Sequence, residues 1–227
     1  MTVFIHVEEP SMESALDILL PRLFENREVT WKIIDHGSKQ RLLRDLPSRF
    51  AGYVARLARE EIKVLVVVDR DDDDCCDLKS RLEKIAAGAG LPTKAAPDAT
   101  GRFHVVNRIV IEELEAWFFG DVPALCAAYP RIPASLSRKK GFVEPDEIAG
   151  GTWERLLQVL QRAGYYGALE RLPKNEVARK VVAGMEPGRN RSPSFRHFVS
   201  GLEALLSESS REQKKTSQMR RRHGLKT

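Results

Sequence analysis

The chain has 227 residues, of which 42% are hydrophobic and 30% are charged. These shares are close to the averages of soluble globular proteins, and no apolar run approaches the roughly 20 residues that a membrane-spanning helix needs. We therefore expect no membrane partner. The first ten residues lack the pattern of a secretory signal, and three cysteines are too few for a disulfide framework, so the expected location is the cytoplasm.

The net charge of +5 is carried by the end of the chain. Residues 207–227 hold seven basic and two acidic side chains, an excess that equals the net charge of the whole protein. The segment is poor in apolar residues, which predicts a disordered basic tail. Such a tail either contacts nucleic-acid phosphates or only keeps the protein in solution.

Strands and helices alternate through the first half of the chain. Apolar, β-branched runs predict strands at residues 2–7, 29–34, 63–68 and 103–111. Apolar residues at helical spacing predict helices at residues 11–24, 41–60, 76–90 and 112–121. The third run, "KVLVVV", is apolar on both faces, which is typical of a central strand covered by helices on each side. The alternation predicts an α/β fold with a doubly wound, mostly parallel sheet.

After residue 121 the chain predicts only helices, at residues 122–129, 153–163, 174–185 and 194–206. We expect residues 122–206 to form a helical extension that packs on the sheet and is not an independent domain. The predicted organisation is therefore an α/β core at residues 1–121, the extension, and the basic tail at residues 207–227.

Acidic residues follow two of the predicted strands. Glu8 and Glu9 follow the first strand, and the run "DRDDDD" begins with Asp69 and Asp71 at the end of the third. Ligands of open parallel sheets bind at the carboxyl ends of the strands. Neighbouring carboxylates repel one another unless one is protonated or a cation neutralises them, and Mg²⁺ or Mn²⁺ accepts oxygen ligands. The Asp-x-Asp spacing places both side chains on one side of an extended segment, so the pattern predicts a metal site.

Other interpretations of the acidic run fit less well. An EF-hand that began at Asp69 would need glycine at its sixth position and glutamate at its twelfth, but Asp74 and Ser80 stand there. A haloacid-dehalogenase phosphatase has its Asp-x-Asp motif after the first strand of its core, usually with threonine or valine two residues beyond, where this chain has Asp73. The surplus acids Asp72 and Asp74 are predicted to be solvated residues at the start of the next helix.

Cys75 and Cys76, which follow the acidic run, are predicted to be small buried residues.

Two further groups of residues complete the candidate site. In "IEELEAWFFGD", a helix would place Glu112 and Glu115 on one face, so that Glu115 either joins the metal ligands or pairs with a basic side chain, while the three aromatic residues belong to the core. Candidate phosphate ligands are Lys39 and Arg41 after the second strand, and Arg189, Arg191 and Arg196 around Ser192 and Ser194, before a helix whose N-terminus can accept an anion. Ser194 is equally well explained as the N-cap of that helix.

These motifs resemble a known family. A glutamate after the first strand and Asp-x-Asp after a later parallel strand resemble the Toprim domain of topoisomerases, primases and overcoming-lysogenization-defect nucleases. Four segments, in this order, are similar to a bacterial family catalogued as domain of unknown function 4276, which is assigned a Toprim-like fold: "HVEEPSMESALDILLPRL", "VVVDRDDDDCCDLKSRL", "IEELEAWFFGD" and "NRSPSFRHF". The similarity spans residues 2–206 and is specific because four separate motifs occur in order.

The resemblance implies roles for individual residues. Glu8 matches the Toprim glutamate, and Asp69 and Asp71 match its metal-binding aspartates. Toprim domains often have glycine after the glutamate, whereas this chain has Glu9, which leaves two candidates for the working carboxylate. Strand alternation places Glu8 and Glu9 on opposite sides, and position favours Glu8.

The implied function is a magnesium- or manganese-dependent phosphodiesterase, and above all a nuclease. Asp69 and Asp71 would hold the metal, while Glu8 would bind a second ion or act as a general base. Toprim nucleases often work beside an ATPase in bacterial defence against phage, so a partner ATPase is implied by resemblance alone. Two alternatives stay open: a non-catalytic module that binds metal, nucleotide or an ATPase and regulates it, and a phosphomonoesterase. The oligomeric state is not indicated.

Overall fold

The computed structural model describes residues 1–207 and contains a four-stranded sheet in the order β2-β1-β3-β4. Its strands are β1 (Thr2–Val7), β2 (Thr30–Asp35), β3 (Ile62–Asp69) and β4 (Val105–Val110), and every neighbouring pair is parallel. The α/β class and the doubly wound sheet are therefore confirmed. The predicted basic tail lies outside the described residues, apart from its first one.

Three helices connect the strands: α1 (Pro10–Leu23), α2 (Lys39–Arg56) and α3 (Cys75–Gly88). The chain moves from β1 to β2 toward one edge of the sheet and from β3 to β4 toward the other. The direction reverses between β1 and β3, and this reversal opens a crevice at the carboxyl ends of these two central strands. The acidic residues follow these two strands.

The rest of the described chain is helical. It comprises α4 (Glu115–Gly120), α5 (Val122–Ala128), two 3-10 turns (Ala134–Arg138 and Pro145–Glu147), α6 (Thr152–Arg162), α7 (Lys174–Gly184) and α8 at residues 193–207. The aromatic residues of α4, Trp117, Phe118 and Phe119, are buried in the core, as the sequence predicts.

The two faces of the sheet have separate cores. Phe4, Val64 and Val66 pack with apolar residues of α2 and α3 on one face. Ile5 and Val67 face the other way and belong to one continuous cluster that contains α1 and the helices from α4 onward. Apolar residues of the N-terminal sheet and of the C-terminal extension thus belong to a single cluster on this face, together with those of α1.

Helix α1 also fixes the position of α7. The guanidinium of Arg22, in the last turn of α1, donates hydrogen bonds of 2.6 Å to the carbonyl of Val182 and 2.7 Å to that of Met185. These carbonyls lie at the end of α7, where backbone acceptors lack partners within the helix. Across residues 1–207, none of the helices has the length and apolar content that crossing a bilayer requires.

Candidate functional site

Two carboxyl side chains are buried where the central strands end. Glu8 is 8% exposed and Asp69 is 6% exposed. Glu8 follows β1 and points to the α2 side of the sheet, like His6 before it, whereas Asp69 ends β3 near Glu115. The Oε2 atom of Glu8 and the Oδ1 atom of Asp69 have no hydrogen-bond partner among residues 1–207. A buried carboxylate oxygen in this state needs a proton or a cation.

The pKa values of Glu8 and Asp69 are both raised, which also indicates that each carboxyl group needs a proton or a cation. Burial raises the pKa of Glu8 to about 7, with a further increase from Asp71 and a decrease from Lys39. Burial also raises the pKa of Asp69 well above its ordinary value, and the charges of Glu8 and Glu115 raise it further. The acids therefore disfavour each other's ionisation, and a divalent cation among them would relieve that repulsion.

Asp71 does not lie on an extended segment with Asp69, so that part of the prediction is wrong. β3 ends at Asp69, and Asp71 has a φ of 50°, in the left-handed region. Its backbone N–H donates to the carbonyl of Glu112 at 3.1 Å, and Glu112 is itself left-handed, with a φ of 63°. The guanidinium of Arg70 pairs with the Glu112 carboxylate and joins the same two loops. Left-handed backbone is costly for residues with a Cβ, so strain is stored where β3 and β4 end.

Lys39 lies at the centre of an open pocket on the α2 side. Its Nζ is 2.7 Å from Oδ2 of Asp71, 2.7 Å from Oδ2 of Asp73 and 3.1 Å from the carbonyl of Arg70. Its backbone N–H also hydrogen-bonds to Glu8 and lowers the pKa of that carboxyl. The pocket has a volume of about 620 Å³, and its lining includes Glu8, Ser38, Lys39, Asp71, Asp73 and Arg81.

Glu115 lies on the opposite side of the strand ends, close enough to Asp69 to act on its pKa. It is the first residue of α4, is 1% exposed, and neither of its carboxylate oxygens has a partner among residues 1–207. Burial raises the pKa of Glu115 to about 7, although the charge of Lys174 opposes this increase. The expectation that Glu112 shares a helical face with Glu115 is wrong, because α4 begins only at Glu115.

Lys174 is a site residue that the sequence analysis missed. Its Nζ lies 3.4 Å from Oε2 of Glu9 and 3.4 Å from Oε1 of Glu113. Burial alone would lower the pKa of Lys174, but Glu115, Glu113, Glu9 and Asp69 together raise it above its ordinary value. The lysine lies 165 positions from Glu9 along the chain, and no local pattern connects them. Glu8 and Glu9 thus have different partners, Lys39 and Lys174 respectively.

A buried chain of polar rings lies beneath Glu8 and was also missed. The Nδ1 of His6 and the Nε2 of His36 are 2.9 Å apart, and the Nε2 of His6 is 2.9 Å from the hydroxyl of Tyr53. Burial lowers the pKa of His6 to about 3, so the ring is neutral. The chain connects β1, the end of β2 and α2, and it thereby positions the turn that carries Lys39.

Two of the four arginines predicted to bind phosphate contact other groups of the protein. Arg189 donates to the fully buried carboxylate of Asp121 at 2.8 and 3.1 Å, and Arg196 donates to the carbonyl of Asn190 at 3.0 Å. Arg191 and Arg41 are exposed, and neither lines the pocket around Lys39.

The N-terminus of α8 already holds an anion, the carboxylate of Asp146. Asp146 accepts from the hydroxyl of Ser192 at 2.6 Å and from the backbone N–H of Ser194 at 2.7 Å. Ser192 is the N-cap, since its hydroxyl accepts from the backbone N–H of Phe195 at 3.1 Å. A phosphate has no place there unless it displaces Asp146, so the predictions of an anion site and of Ser194 as the cap are wrong.

The remaining acids and cysteines surround the start of α3. Asp74 caps this helix through the backbone N–H groups of Cys76 and Asp77, at 2.8 and 3.0 Å, and Asp72 is exposed, as predicted. Cys75 is half-buried and Cys76 is exposed, so the prediction that both are buried is wrong.

The donors present suit a hard divalent cation, but they do not form a complete cage. Within residues 1–207, no three His, Cys, Asp or Glu side chains are grouped so that they could hold a metal ion. Mg²⁺ usually takes only one or two protein carboxylates and fills the other positions with water and substrate phosphates. The unpaired oxygens of Glu8 and Asp69 meet that smaller requirement in type and in burial.

Comparison with known proteins identifies the family to which the chain belongs. No curated protein and no solved structure matches the chain. A family model described as "Domain of unknown function (DUF4276)" matches residues 7–203. The match includes every strand-end acid and both lysines that contact them. This chain therefore belongs to the family described as "Domain of unknown function (DUF4276)".

Proposed function

We propose that the protein is a phosphodiesterase that depends on Mg²⁺ or Mn²⁺, and specifically a nuclease. The observation that carries the proposal is the pair of buried, unpaired carboxylate oxygens on Glu8 and Asp69, at the point where the winding of the sheet reverses. Such crevices are where open α/β sheets bind ligands. The resemblance to Toprim domains supports the same chemistry.

Each side chain has a role in the proposal. Glu8 and Asp69 would hold the cation, and the bound ion would neutralise charge that develops on the phosphate. Lys39 would bind a phosphate oxygen, since its Nζ is held over the pocket by Asp71 and Asp73. If Asp69 alone holds the ion, Glu8 Oε2 is suited to accept a proton from an attacking water, because a general base works best with a pKa near the operating pH.

The proposal extends to partners and location. The net positive charge of residues 207–227 supports nucleic acid as the substrate. A partner ATPase and a role in defence against phage are supported by the resemblance to Toprim nucleases. A cytoplasmic location is supported by the three free cysteines, since oxidising compartments favour disulfides.

The test is cleavage of plasmid DNA and of structured RNA in Mg²⁺ or Mn²⁺. We expect Glu8→Gln and Asp69→Asn to lower the metal-dependent rate by about 100-fold or more. Both variants should fold, because they replace a buried carboxyl with a neutral group of the same shape. Asp17→Asn, which removes an exposed acid of α1, is the matched control and should cleave like the wild type. Cleavage that persists in both site variants would contradict the proposal.

A second candidate is a non-catalytic module that binds a nucleotide or an ATPase. The favouring observation is that Lys39 and Lys174 already neutralise part of the acidic charge without a metal. Wild-type protein that is folded and cleaves no nucleic acid, with or without a neighbouring ATPase, would favour this candidate. Hydrolysis of small phosphomonoesters instead would indicate the phosphatase alternative.

A further inference from the structure

Lys174 is the centre of the acidic group on the α4 side of the strand ends. Glu9 and Glu113 lie 3.4 Å from its Nζ, and the charges of Asp69 and Glu115 also act on it. Asp69 and Glu115 are buried and keep unpaired oxygens, whereas the side chain of Lys174 is 26% exposed. An ammonium in this position offsets part of the negative charge of the four acids.

The position of Lys174 is set by rigid elements. It is the first residue of α7, whose inner face is buried through Val177, Val181 and Val182. Arg22 of α1 donates hydrogen bonds to the carbonyls of Val182 and Met185 and so connects the end of α7 to α1. The ammonium is therefore held in place before any ligand arrives.

Its partner Glu113 is equally constrained. The Oε2 of Glu113 accepts from the hydroxyl of Thr152 at 3.0 Å and from the backbone N–H of Trp153 at 3.2 Å, at the start of α6. The other oxygen, Oε1, is then directed to Lys174. Two helices of the extension thus combine to place one positive charge between Glu9 and Glu113, where it also acts electrostatically on Asp69 and Glu115.

The opposite side of the strand ends differs. Lys39 is bound to the two exposed acids Asp71 and Asp73, whose side chains are 46% and 50% exposed, and Glu8 keeps its Oε2 free. An incoming cation can therefore reach a free carboxylate oxygen on the Glu8 side, while on the Glu115 side Lys174 already supplies one positive charge.

We propose that Lys174 is a built-in cation of the site that takes the place of a second metal ion, so that the site binds one divalent ion, on the Glu8 side. This inference rests on the proposed metal-dependent function. Many phosphodiesterases use two metal ions as a clamp on the attacking and leaving oxygens. Here the fixed ammonium supplies the second positive charge, and Lys174 acts as a positioning residue for Glu9 and Glu113, which its Nζ contacts.

The test counts bound Mn²⁺ on the full chain by calorimetry and by electron paramagnetic resonance. Wild type should bind one ion. Lys174→Met keeps the length of the side chain but removes its charge, and it should bind a second ion among the released carboxylates. Lys174→Arg restores the charge and should return the count to one. Lys180→Met, which removes an exposed lysine of the same helix that pairs with Glu176, should leave the count at one.

Each outcome decides a different point. Two ions on wild type, or a single ion on both wild type and Lys174→Met, would overturn the inference and leave the metal-dependent function standing. No ion on wild type would contradict the proposed function as well. If Lys174→Met is unfolded without metal, refolding it in Mn²⁺ is the second measurement: recovery with two ions supports the inference, and failure to recover in any concentration of Mn²⁺ overturns it.

Discussion

At the scale of single residues, the site is defined by carboxyl groups that lack partners. Glu8, Asp69 and Glu115 are each buried, and each keeps at least one oxygen without a hydrogen bond among residues 1–207. Native proteins rarely leave buried polar atoms in this state without a functional reason. The two flanking lysines reduce the repulsion, but the three acids still depend on protonation or on a bound cation.

This dependence predicts how stability changes with pH. Burial raises the pKa of both Glu8 and Glu115 from 4.5 to about 7. The unfolded chain releases these protons near the ordinary value, so between the two values the folded state binds more protons, and stability falls as pH rises. We expect the melting temperature of the metal-free protein to fall between about pH 5 and about pH 7.5.

Thermal denaturation at several pH values measures this change in melting temperature. Two comparisons test whether the buried acids cause it. Glu115→Gln should flatten the fall, because it removes one of the two titrating groups. Added Mg²⁺ should raise the melting temperature more at high pH than at low pH, since the ion competes with protons for the same oxygens. A melting temperature that rises with pH over this interval would show that the acids are charged and satisfied without a metal.

At the scale of secondary-structure elements, the loops after the strands carry the site and the helices hold those loops. The loops after β3 and β4 are joined by the backbone hydrogen bond from Asp71 to Glu112 and by the Arg70–Glu112 ion pair. The turn before α2 is held from below by His6, His36 and Tyr53. Helix α4 in turn is packed against the start of α8.

Gly120 lies at the contact between α4 and the turn before α8, where there is no room for a larger side chain. A Cβ added at Gly120, the last residue of α4, would lie 2.1 Å from Oδ1 of Asn190 and 2.9 Å from the backbone nitrogen of Ser192. Gly120→Ala should therefore lower the free energy of unfolding by about 1–3 kcal/mol through overpacking.

The matched control lies in α2. A Cβ added at Gly52 would meet nothing within 4 Å, and the residue lies inside the helix. Gly52→Ala should raise the free energy of unfolding by about 0.5–1 kcal/mol, since alanine loses less entropy than glycine. Urea denaturation measures both changes. Equal effects in the two variants would mean that α4 and the turn before α8 are not in close contact.

At the scale of the whole molecule, the sheet and the extension depend on each other. One cluster of buried apolar residues on the α1 face includes residues of β1, α4 and α8. In addition, the Nζ of Lys174, in the extension, contacts Glu9 and Glu113, which follow strands of the sheet. Removing the extension would expose that core and also leave the acids without one of their two lysines.

A truncation tests this dependence. We expect residues 1–121 alone to show no cooperative thermal transition, whereas residues 1–207 should melt in one step like the full chain. The physical reason is that apolar side chains of β1, β3 and α1 on that face would lose the extension residues that pack against them and would be exposed to water. A sharp transition in the short fragment, measured by circular dichroism and calorimetry, would instead identify it as an independent domain.

The features of this protein that depend on local patterns could be predicted from the amino-acid sequence. The alternation of strands and helices predicted the doubly wound sheet, because apolar periodicity is written over short stretches of chain. The acids at the ends of the first and third strands, Glu8 and Asp69, were found because strand ends are recognisable locally and their carboxyl ends bind ligands.

The contacts between side chains from distant parts of the chain became visible only in the folded structure. Asp71 left the strand direction because its loop hydrogen-bonds to Glu112 on the next strand's loop. The cation beside Glu9 is Lys174, and the anion at the start of α8 is Asp146, 48 positions before the Ser194 N–H that it binds. These pairings depend on how distant segments pack, and packing is decided by the whole core and not by any local stretch of sequence.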